Sequence, residues 1–405
     1  MLHGKKLPVI LGHTLGWLID VGNSSNSQPV PGGLEEIAKE FLRLGFVAFG
    51  GPAAHFPMME ERFVQRNKWL TRERFIDLMG AASLLPGPSS TEMTMYLGEL
   101  RAGTAGLVVA GACFILPAAL LVALLAWAYV KFGRVSQVEG LLFGIKPAVI
   151  ALVAQPMWNL ARTALKSLSL ALLALTVVVL AGLGYPVLLL LLGAGVSWIL
   201  LRHGSKLAAG AELICAGFSE WGVASSAVIA SFGSVFFYFL KVGAVLFGSG
   251  YVLLAVLRAD LVVHRHWLTD AQLLDAIAVS QATPGPFFTV ATFIGYILGG
   301  WRGALLGTLG MFLPAFIYVG MTAHILPKLR KSPFAGAFLD GVNAAAVALM
   351  AFVGFQFART TLVNIPSIVL AAMSVFLLFR FKVNSALLIL GGAIAGILLR
   401  SIGWG

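Results

Sequence analysis

Charged residues are scarce in this sequence. They make up 11% of its 405 residues, whereas a soluble domain carries about 25%. Hydrophobic residues account for 59% of the chain, and the mean hydropathy is +0.91. So few charges cannot cover a water-facing surface. This scarcity argues against a water-soluble enzyme and indicates that the lipid bilayer is the solvent.

The formal net charge of +11 does not indicate nucleic-acid binding. The Lys and Arg residues lie mostly between apolar stretches, and the chain lacks a basic stripe with interleaved aromatic residues. In a membrane protein, basic residues between apolar stretches orient the helices. We therefore expect the bilayer, and no nucleic acid, as a partner.

Catalytic and metal-binding motifs are also missing. The two cysteines, Cys113 and Cys215, lack the spacing of metal ligands or of a disulfide framework. The chain contains no HExxH, GxSxG or P-loop motif, and His55 with Glu60 and Glu61 lacks a second His that would share a metal. We expect no enzyme, no cofactor, no metal and no direct use of ATP.

The sequence does contain an internal repeat. FLRLGFVAFGGP from Phe41 matches FLKVGAVLFGSG from Phe239, and the proline-glycine-proline (PGP) motif at 86–88 matches that at 284–286. After a deletion of one residue, Gly98 matches Gly295 and the match continues. Self-similarity of this length indicates tandem copies of one unit. The predicted domains are an N-terminal tail (1–33), a first repeat (34–202), a connection (203–231) and a second repeat (232–401).

Each repeat contains several apolar segments of about 20 residues, which is the length of a membrane-spanning helix. The segments lack the alternation of a β-barrel. We predict an all-α polytopic membrane protein. Each half is expected to have about five spanning helices and one re-entrant hairpin broken at PGP.

Loop charge favours inverted over parallel repeats. The loop at 62–74 is rich in arginine and lysine, whereas its copy has only Arg258 and Arg265; the loop at 328–331 reverses this bias. Short loops with more Lys and Arg stay in the cytoplasm. With five spans per half the tail would lie outside, which Lys5 and Lys6 do not favour.

The two PGP motifs are the first candidate site. Proline cannot donate a backbone hydrogen bond, so two prolines around a glycine break a helix. Broken helices at matching positions in two halves indicate a transporter's binding site, and a helix N-terminus attracts anions. Ordinary kinks are the alternative. The predicted anion-binding residues are Pro86, Gly87, Pro88, Ser89, Ser90 and Thr91, together with Pro284, Gly285 and Pro286.

Two equivalent cations, Arg43 and Lys241, lie inside the first apolar segment of each half. A charge within a membrane segment is costly and indicates function, and both residues are predicted to bind the anion from one central cavity. Gly50 and Gly51 end the first of these segments and permit close backbone approach. The alternatives are snorkelling of the two cations to the interface and simple helix packing by the glycines.

Other polar residues occur in one half only. Glu92 and Glu99 follow the first PGP and are replaced by apolar or aromatic residues in the second half, and His55 is also unmatched. We predict that these three couple transport to a proton; structural pairing is the alternative. Lys146 corresponds to Asn343, and both are further candidates for anion binding.

In combination, these motifs resemble the chromate ion transporter family, in its long-chain form with two domains. The resemblance covers about residues 35–380 and rests on FGGP at 49–52 with His55, KWLT at 68–71, LLPGPSSTEM at 84–93, FILPA at 114–118 and ATPGP at 282–286. The second half departs from it by reading GSG in place of GGP. The resemblance implies a multi-pass protein of the bacterial or archaeal inner membrane that exports chromate and confers resistance.

Two other functions stay open. The chain is alternatively an importer or exchanger of sulfate or a related oxyanion, which shares the charge and shape of chromate, or an anion channel. The expected partners are chromate or a sulfate-like oxyanion, and self-pairing into a homodimer is a further hypothesis.

Overall fold

A computed structural model describes residues 33–132, 136–203, 231–247, 250, 252–322, 333–381 and 383–402. The predicted N-terminal tail and the predicted connection lie almost entirely outside the described residues. Within these ranges the chain is helical and contains no strand. The predicted all-α class is confirmed.

The helices of the first half are α1 (Leu34–Val47), α2 (Pro52–Met59, continued by a π-helical stretch Glu60–Arg66), α3 (Arg72–Ala82), α4 (Ser89–Phe132), α5 (Ser136–Ala164), α6 (Leu168–Gly182) and α7 (Val187–His203). Those of the second half are α8 (Phe232–Val245), α9 (Val252–Leu257, continued by a π-helical stretch Arg258–His264), α10 (Asp270–Ala282), α11 (Val290–Thr322, preceded by a 3₁₀ turn Phe287–Thr289), α12 (Pro333–Thr361), α13 (Ile365–Phe381) and α14 (Ser385–Ser401).

Helix α4 reverses direction within its length. Gly103 has a φ of +58°, a value that glycine adopts readily. Residues 89–101 then fold back on residues 104–132, so that the backbones of Gly98 and Gly106 touch and leave no space for a Cβ. Helix α11 turns in the same way at Gly300, with Gly295 against Gly303. Glycine at these positions therefore makes two tight helical hairpins.

Two broken hairpins enter the first half from one end. Glu36 accepts hydrogen bonds from Trp69 Nε1 (3.2 Å) and Arg101 Nη2 (2.8 Å), and the Arg101 guanidinium stacks 4.8 Å from the Trp69 ring. Because the chain is at this end at residues 36, 69 and 101, it has left and returned twice. In the second half, the Arg265 guanidinium stacks on the rings of Tyr238 and Trp267, and Gly299 lies against the Phe232 ring.

The first apolar segment therefore differs from the predicted full span. Helix α1 has 14 residues and is about 21 Å long, shorter than the ~30 Å hydrocarbon core. Gly50 and Gly51 have φ values of +95° and +68° and turn the chain back. The returning α2 pairs with α1 through Arg62 Nη2 and Glu40 (2.7 Å). The first half thus has two re-entrant hairpins, α1 with α2 and α3 with the start of α4.

The membrane spans follow from length and composition. Among the described residues, four helical segments are long and apolar enough to cross a bilayer, and the other apolar helices of 10–17 residues are shorter. The long segments are Ser89–Phe132, Gly140–Ala164, Phe287–Thr322 and Gly336–Thr361. They occur as equivalent pairs, one of each pair in each half, as the repeat predicted.

The two halves are inverted with respect to each other. Near the start of α4, the Tyr96 hydroxyl is 2.7 Å from Thr322 Oγ1 at the end of α11. At the far end of α4, the Tyr129 ring lies 5.3 Å from that of Phe293, near the start of α11. The equivalent helices α4 and α11 therefore run antiparallel. This orientation agrees with the loop charges, and it places the start of α1 at the arginine-rich end.

Single cysteines test this arrangement. Lys39 and Ser401 are both exposed and lie at opposite ends, since Arg400 contacts Gly140 near the start of α5. In a chain with Cys113 and Cys215 replaced by alanine, we expect K39C and S401C to react with a membrane-impermeant thiol reagent from opposite faces. Labelling of both from the same face would contradict inverted halves.

Candidate functional site

The tips of the broken hairpins meet where the two halves cross. The Gly87 amide donates a hydrogen bond to the Leu246 carbonyl (2.8 Å), and the Gly285 amide donates one to the Ala48 carbonyl (2.7 Å). Residues 48 and 246, like 87 and 285, are equivalent in the repeat. Each PGP tip therefore binds the end of the first helix of the other half, and these two bonds join hairpins that enter from opposite ends.

Proline and glycine make these tips. Gly87 has a φ of +133° and Gly285 one of +94°, a region in which a Cβ is strained. The flanking prolines stop the preceding helix and donate no hydrogen bond. Both motifs are buried at all three positions. The structure thus places all six predicted PGP residues together at the crossing of the halves.

The helices that start at the two tips have different first turns. After Pro88, Ser89 is half-buried, Ser90 and Thr91 are buried, and the Thr91 hydroxyl has no hydrogen-bond partner among the described residues. After Pro286 the equivalent positions carry two phenylalanines, and the Thr289 hydroxyl bonds to the Pro286 carbonyl (2.9 Å). The polar groups at the crossing therefore come mainly from the first half.

Glu92 is a buried carboxyl at this crossing. It is 0% exposed, and neither oxygen has a hydrogen-bond partner among the described residues. Its side chain folds back past the start of its own helix, so that a Cβ added to Gly87 would lie 2.6 Å from Oε1. An ionised carboxylate buried without a partner is costly. The arrangement suits a group that gains and loses a proton.

The other two predicted coupling residues have different surroundings. His55 is fully buried, its Nε2 lies 3.1 Å from the Ala48 carbonyl that also binds Gly285, and its Nδ1 has no partner among the described residues. His55 and Gly285, at the tip of the second half, therefore contact the same carbonyl. Glu99 is half-buried on the same helix as Glu92, farther from the tip. Proton coupling by any of the three stays a prediction.

The two predicted anion-binding cations have different surroundings. Arg43 is exposed on α1, where it interacts electrostatically with Glu40. Lys241 is half-buried on α8 and interacts with Asp260. Joint binding of one anion by the two side chains stays a prediction. Gly50 and Gly51 lie at the turn between α1 and α2, shortly after Ala48 in the chain.

Lys146 belongs to a second cluster, away from the tips. Its Nζ lies 3.6 Å from Oδ1 of the buried Asp275, whose Oδ2 accepts a hydrogen bond from the Tyr129 hydroxyl (3.0 Å). Lys146 and Arg400 line a cavity of about 340 Å³ between α5, α10, α12 and α14. Asn343, its counterpart in the other half, is half-buried on α12. The cluster gives one end of the molecule a cationic cavity.

Breaking the Lys146–Asp275 pair should lower stability. With K146M, the buried carboxylate of Asp275 loses its cation, and we expect a loss of about 2 kcal/mol, less than for a fully buried pair because Lys146 is partly exposed. Thermal unfolding in detergent measures this change. The double variant K146M/D275N should recover stability relative to K146M; a double variant no more stable than K146M would contradict the pairing.

Two parts of the site could not be read from sequence motifs. The carbonyls of Ala48 and Leu246 act through the backbone, so their side chains give no signal. Asp275 was recognisable only as the repeat counterpart of Asp77. Nothing in the sequence indicated its pairing with Lys146, 129 positions away.

Inverted halves with broken helices that meet at the middle define a class of membrane protein, the transporters that bind their substrate between two repeats. A sequence profile described as chromate transporter matches residues 35–199 and 233–397, one match for each half. The chain belongs to the chromate transporter family. It is a multi-pass membrane protein, and membership of a transporter family points away from an enzyme.

Curated relatives agree with this assignment. The chromate transport protein of Cupriavidus metallidurans is 32% identical over 375 residues, covering 89% of this chain and 91% of the relative. That of Pseudomonas aeruginosa is 32% identical over 394 residues, covering 92% and 94%. A probable chromate transport protein of Synechococcus elongatus is 28% identical over 385 residues, covering 91% and 96%. No solved structure matches the chain.

Proposed function

We propose that this protein is a secondary transporter that exports chromate across the inner (plasma) membrane of a bacterial or archaeal cell and so confers chromate resistance. The observation that carries the proposal is the crossing of the two PGP tips, which brings helix starts from opposite ends to one buried place. The names of the relatives support chromate as the anion.

The tips supply the contacts for the anion. The helices after Pro88 and Pro286 direct the positive ends of their dipoles towards the crossing. The hydroxyls of Ser89, Ser90 and Thr91 add donors from the first half. Rocking of one inverted half against the other would open this place to each face in turn.

The charge along the molecule indicates its orientation, and the charge around the site attracts the anion. Arg43 and Lys241 contribute positive charge that draws the dianion towards the tips. The end that carries Lys39, Arg62 and Arg101 has more Lys and Arg than the opposite end, which favours the cytoplasm for it. Energy comes from an ion or charge gradient, with Glu92, His55 and Glu99 as the residues proposed to couple it.

Chromate uptake into inside-out membrane vesicles tests the proposal. We expect saturable, gradient-driven accumulation that competes weakly with sulfate, molybdate and phosphate. Cells that carry the protein should also grow at higher chromate concentrations. Uptake of sulfate into right-side-out vesicles would favour the importer or exchanger, and flux that neither saturates nor concentrates the anion would favour a channel.

The double variant R43A/K241A tests the contribution of the two cations. Loss of both charges should lower chromate uptake about tenfold or more, because charge-assisted contacts to the dianion disappear. Lys39 is exposed on the same helix as Arg43, so K39A is the matched control. Normal uptake by R43A/K241A would exclude these side chains from the site.

A further inference from the structure

Glu92 fills the space next to a predicted anion-binding turn. Its carboxyl packs against Gly87, and Oε1 lies 2.6 Å from the position that a Cβ on Gly87 would occupy. Gly87 is the residue whose amide reaches Leu246 of the other half. The carboxyl therefore lies at the start of α4 and at the boundary between the halves, where an anion held by this helix start would place an oxygen.

The groups around Glu92 do not neutralise it. Tyr96 on its own helix and Tyr318 on α11 are close enough to interact with it electrostatically. The Tyr96 hydroxyl bonds to Thr322, and the Tyr318 hydroxyl donates to the Ala244 carbonyl (2.9 Å). Neither carboxylate oxygen has a hydrogen-bond partner among the described residues.

The two predicted anion-binding cations interact with other carboxylates. On α8, Lys241 interacts with Asp260, and on α1, Arg43 interacts with Glu40. Glu99, on the same helix as Glu92, adds a further negative charge near Tyr96. A carboxyl without a cation or a donor does not hold the first turn of α4 together. The position of this carboxyl instead allows another group to displace it.

We infer that the carboxylate of Glu92 and the transported oxyanion compete for one place beside Gly87, so that binding of the dianion requires Glu92 to take up a proton. The inference rests on the proposed function, selects Glu92 from its three candidate coupling residues and gives the physical reason for the coupling. Like charges at close range in a buried place exclude each other. Protonation converts the carboxylate to a neutral acid. The proton leaves together with the anion, so each export step carries one net negative charge outward and is driven by the inside-negative membrane potential.

The second half has no counterpart of the Glu92 carboxyl. At the position of Glu92 it has Val290, and at the first turn it has Phe287 and Phe288. Around Gly285 the neighbours are Ala118 and the Gly45 carbonyl, and no carboxyl is among them. With one carboxyl at the crossing among the described residues, we expect one proton for each dianion bound.

Binding of chromate to purified protein as a function of pH tests the inference. At pH values where chromate stays fully dianionic and Glu92 is ionised in the empty site, the Kd of the wild-type protein should rise by up to about tenfold per pH unit, because a proton must then bind with the anion. E92Q should bind chromate with a Kd that no longer changes with pH and is no weaker than that of the wild type. E73Q removes an exposed carboxylate on α3 and should keep the wild-type dependence.

Three outcomes would overturn the inference. They are a pH dependence of E92Q equal to that of the wild type, weaker binding by E92Q at every pH, and a wild-type Kd that does not change with pH. If E92Q does not fold, proton uptake by the wild-type protein on addition of chromate decides instead: about one proton per anion supports the competition, and none overturns it. A wild-type protein that binds no chromate would overturn the proposed function itself.

Discussion

Replacing Gly285 by alanine should reduce chromate transport by about 100-fold. At a φ of +94° an alanine is strained, and its Cβ would lie 2.5 Å from that of Ala118 on α4. Strain of this kind costs about 1–3 kcal/mol, and displacement of the tip would also break the Gly285–Ala48 hydrogen bond. Because about 1.4 kcal/mol corresponds to a factor of ten in rate, the combined effect should exceed that of most single substitutions.

A second substitution separates the two causes. In G285A/A118G the clash disappears while the backbone strain stays, so we expect transport to recover in part. A Cβ on Gly391 would meet nothing within 4 Å, which makes G391A the control for a harmless glycine replacement. Vesicle uptake normalised to protein amount measures all three. Wild-type transport by G285A would show that this tip does not form part of the pathway.

Replacing Gly144 by valine should prevent stable folding. A Cβ on Gly144 of α5 would overlap the carbonyl oxygen of Gly392 on α14 and crowd Gly396. Because these contacts are with backbone, no side chain can rotate away, and the two helices must separate. Overpacking usually costs about 1–3 kcal/mol, and a backbone clash on this scale should exceed that range.

The neighbouring Gly391 supplies the comparison again. It lies on the same helix as Gly392 but has open space at its Cβ position, so G391V should have nearly wild-type stability. Thermal unfolding in detergent and the yield of folded protein are the readouts. Equal stability of G144V and G391V would contradict the close crossing of α5 and α14.

Much of this architecture could be predicted because it repeats. The PGP motifs, the matching glycines and the reversed loop charges each occur twice, and together they indicated inverted helical halves. The structure confirms the helical class, the two tandem halves and their inversion. The glycine-rich turns that make the tips, at Gly87 and Gly285, were recognisable because only glycine between prolines gives such a break.

The first hairpin was not predicted, for a physical reason. Residues 41–57 are apolar apart from Arg43 and His55, and hydropathy alone assigns them to one span together with the residues before them. The turn at Gly50 and Gly51 is fixed by contacts distant in sequence, such as that of Glu40 with Arg62. A hydropathy pattern contains no information about such pairs, so residues 34–57 were predicted as one span and not as a hairpin.

The candidate site was predicted unevenly. Glu92 stood out in the sequence because its counterpart is Val290, but only the structure shows that it is buried without a partner and rests on Gly87. Arg43 and Lys241 were predicted from the repeat to face one cavity, and their shared role stays a prediction. Symmetry indicates which residues are equivalent, whereas the direction of a side chain depends on how its helix packs.

The position of bound chromate tests the central claim most directly. Chromium can be located by its anomalous scattering in crystals of the protein grown with chromate. We predict a peak at the crossing of the tips, between Gly87 and Gly285 and beside the carboxyl of Glu92, and a stronger peak there in E92Q. A peak only in the cavity lined by Lys146 and Arg400, with none at the crossing, would contradict the account.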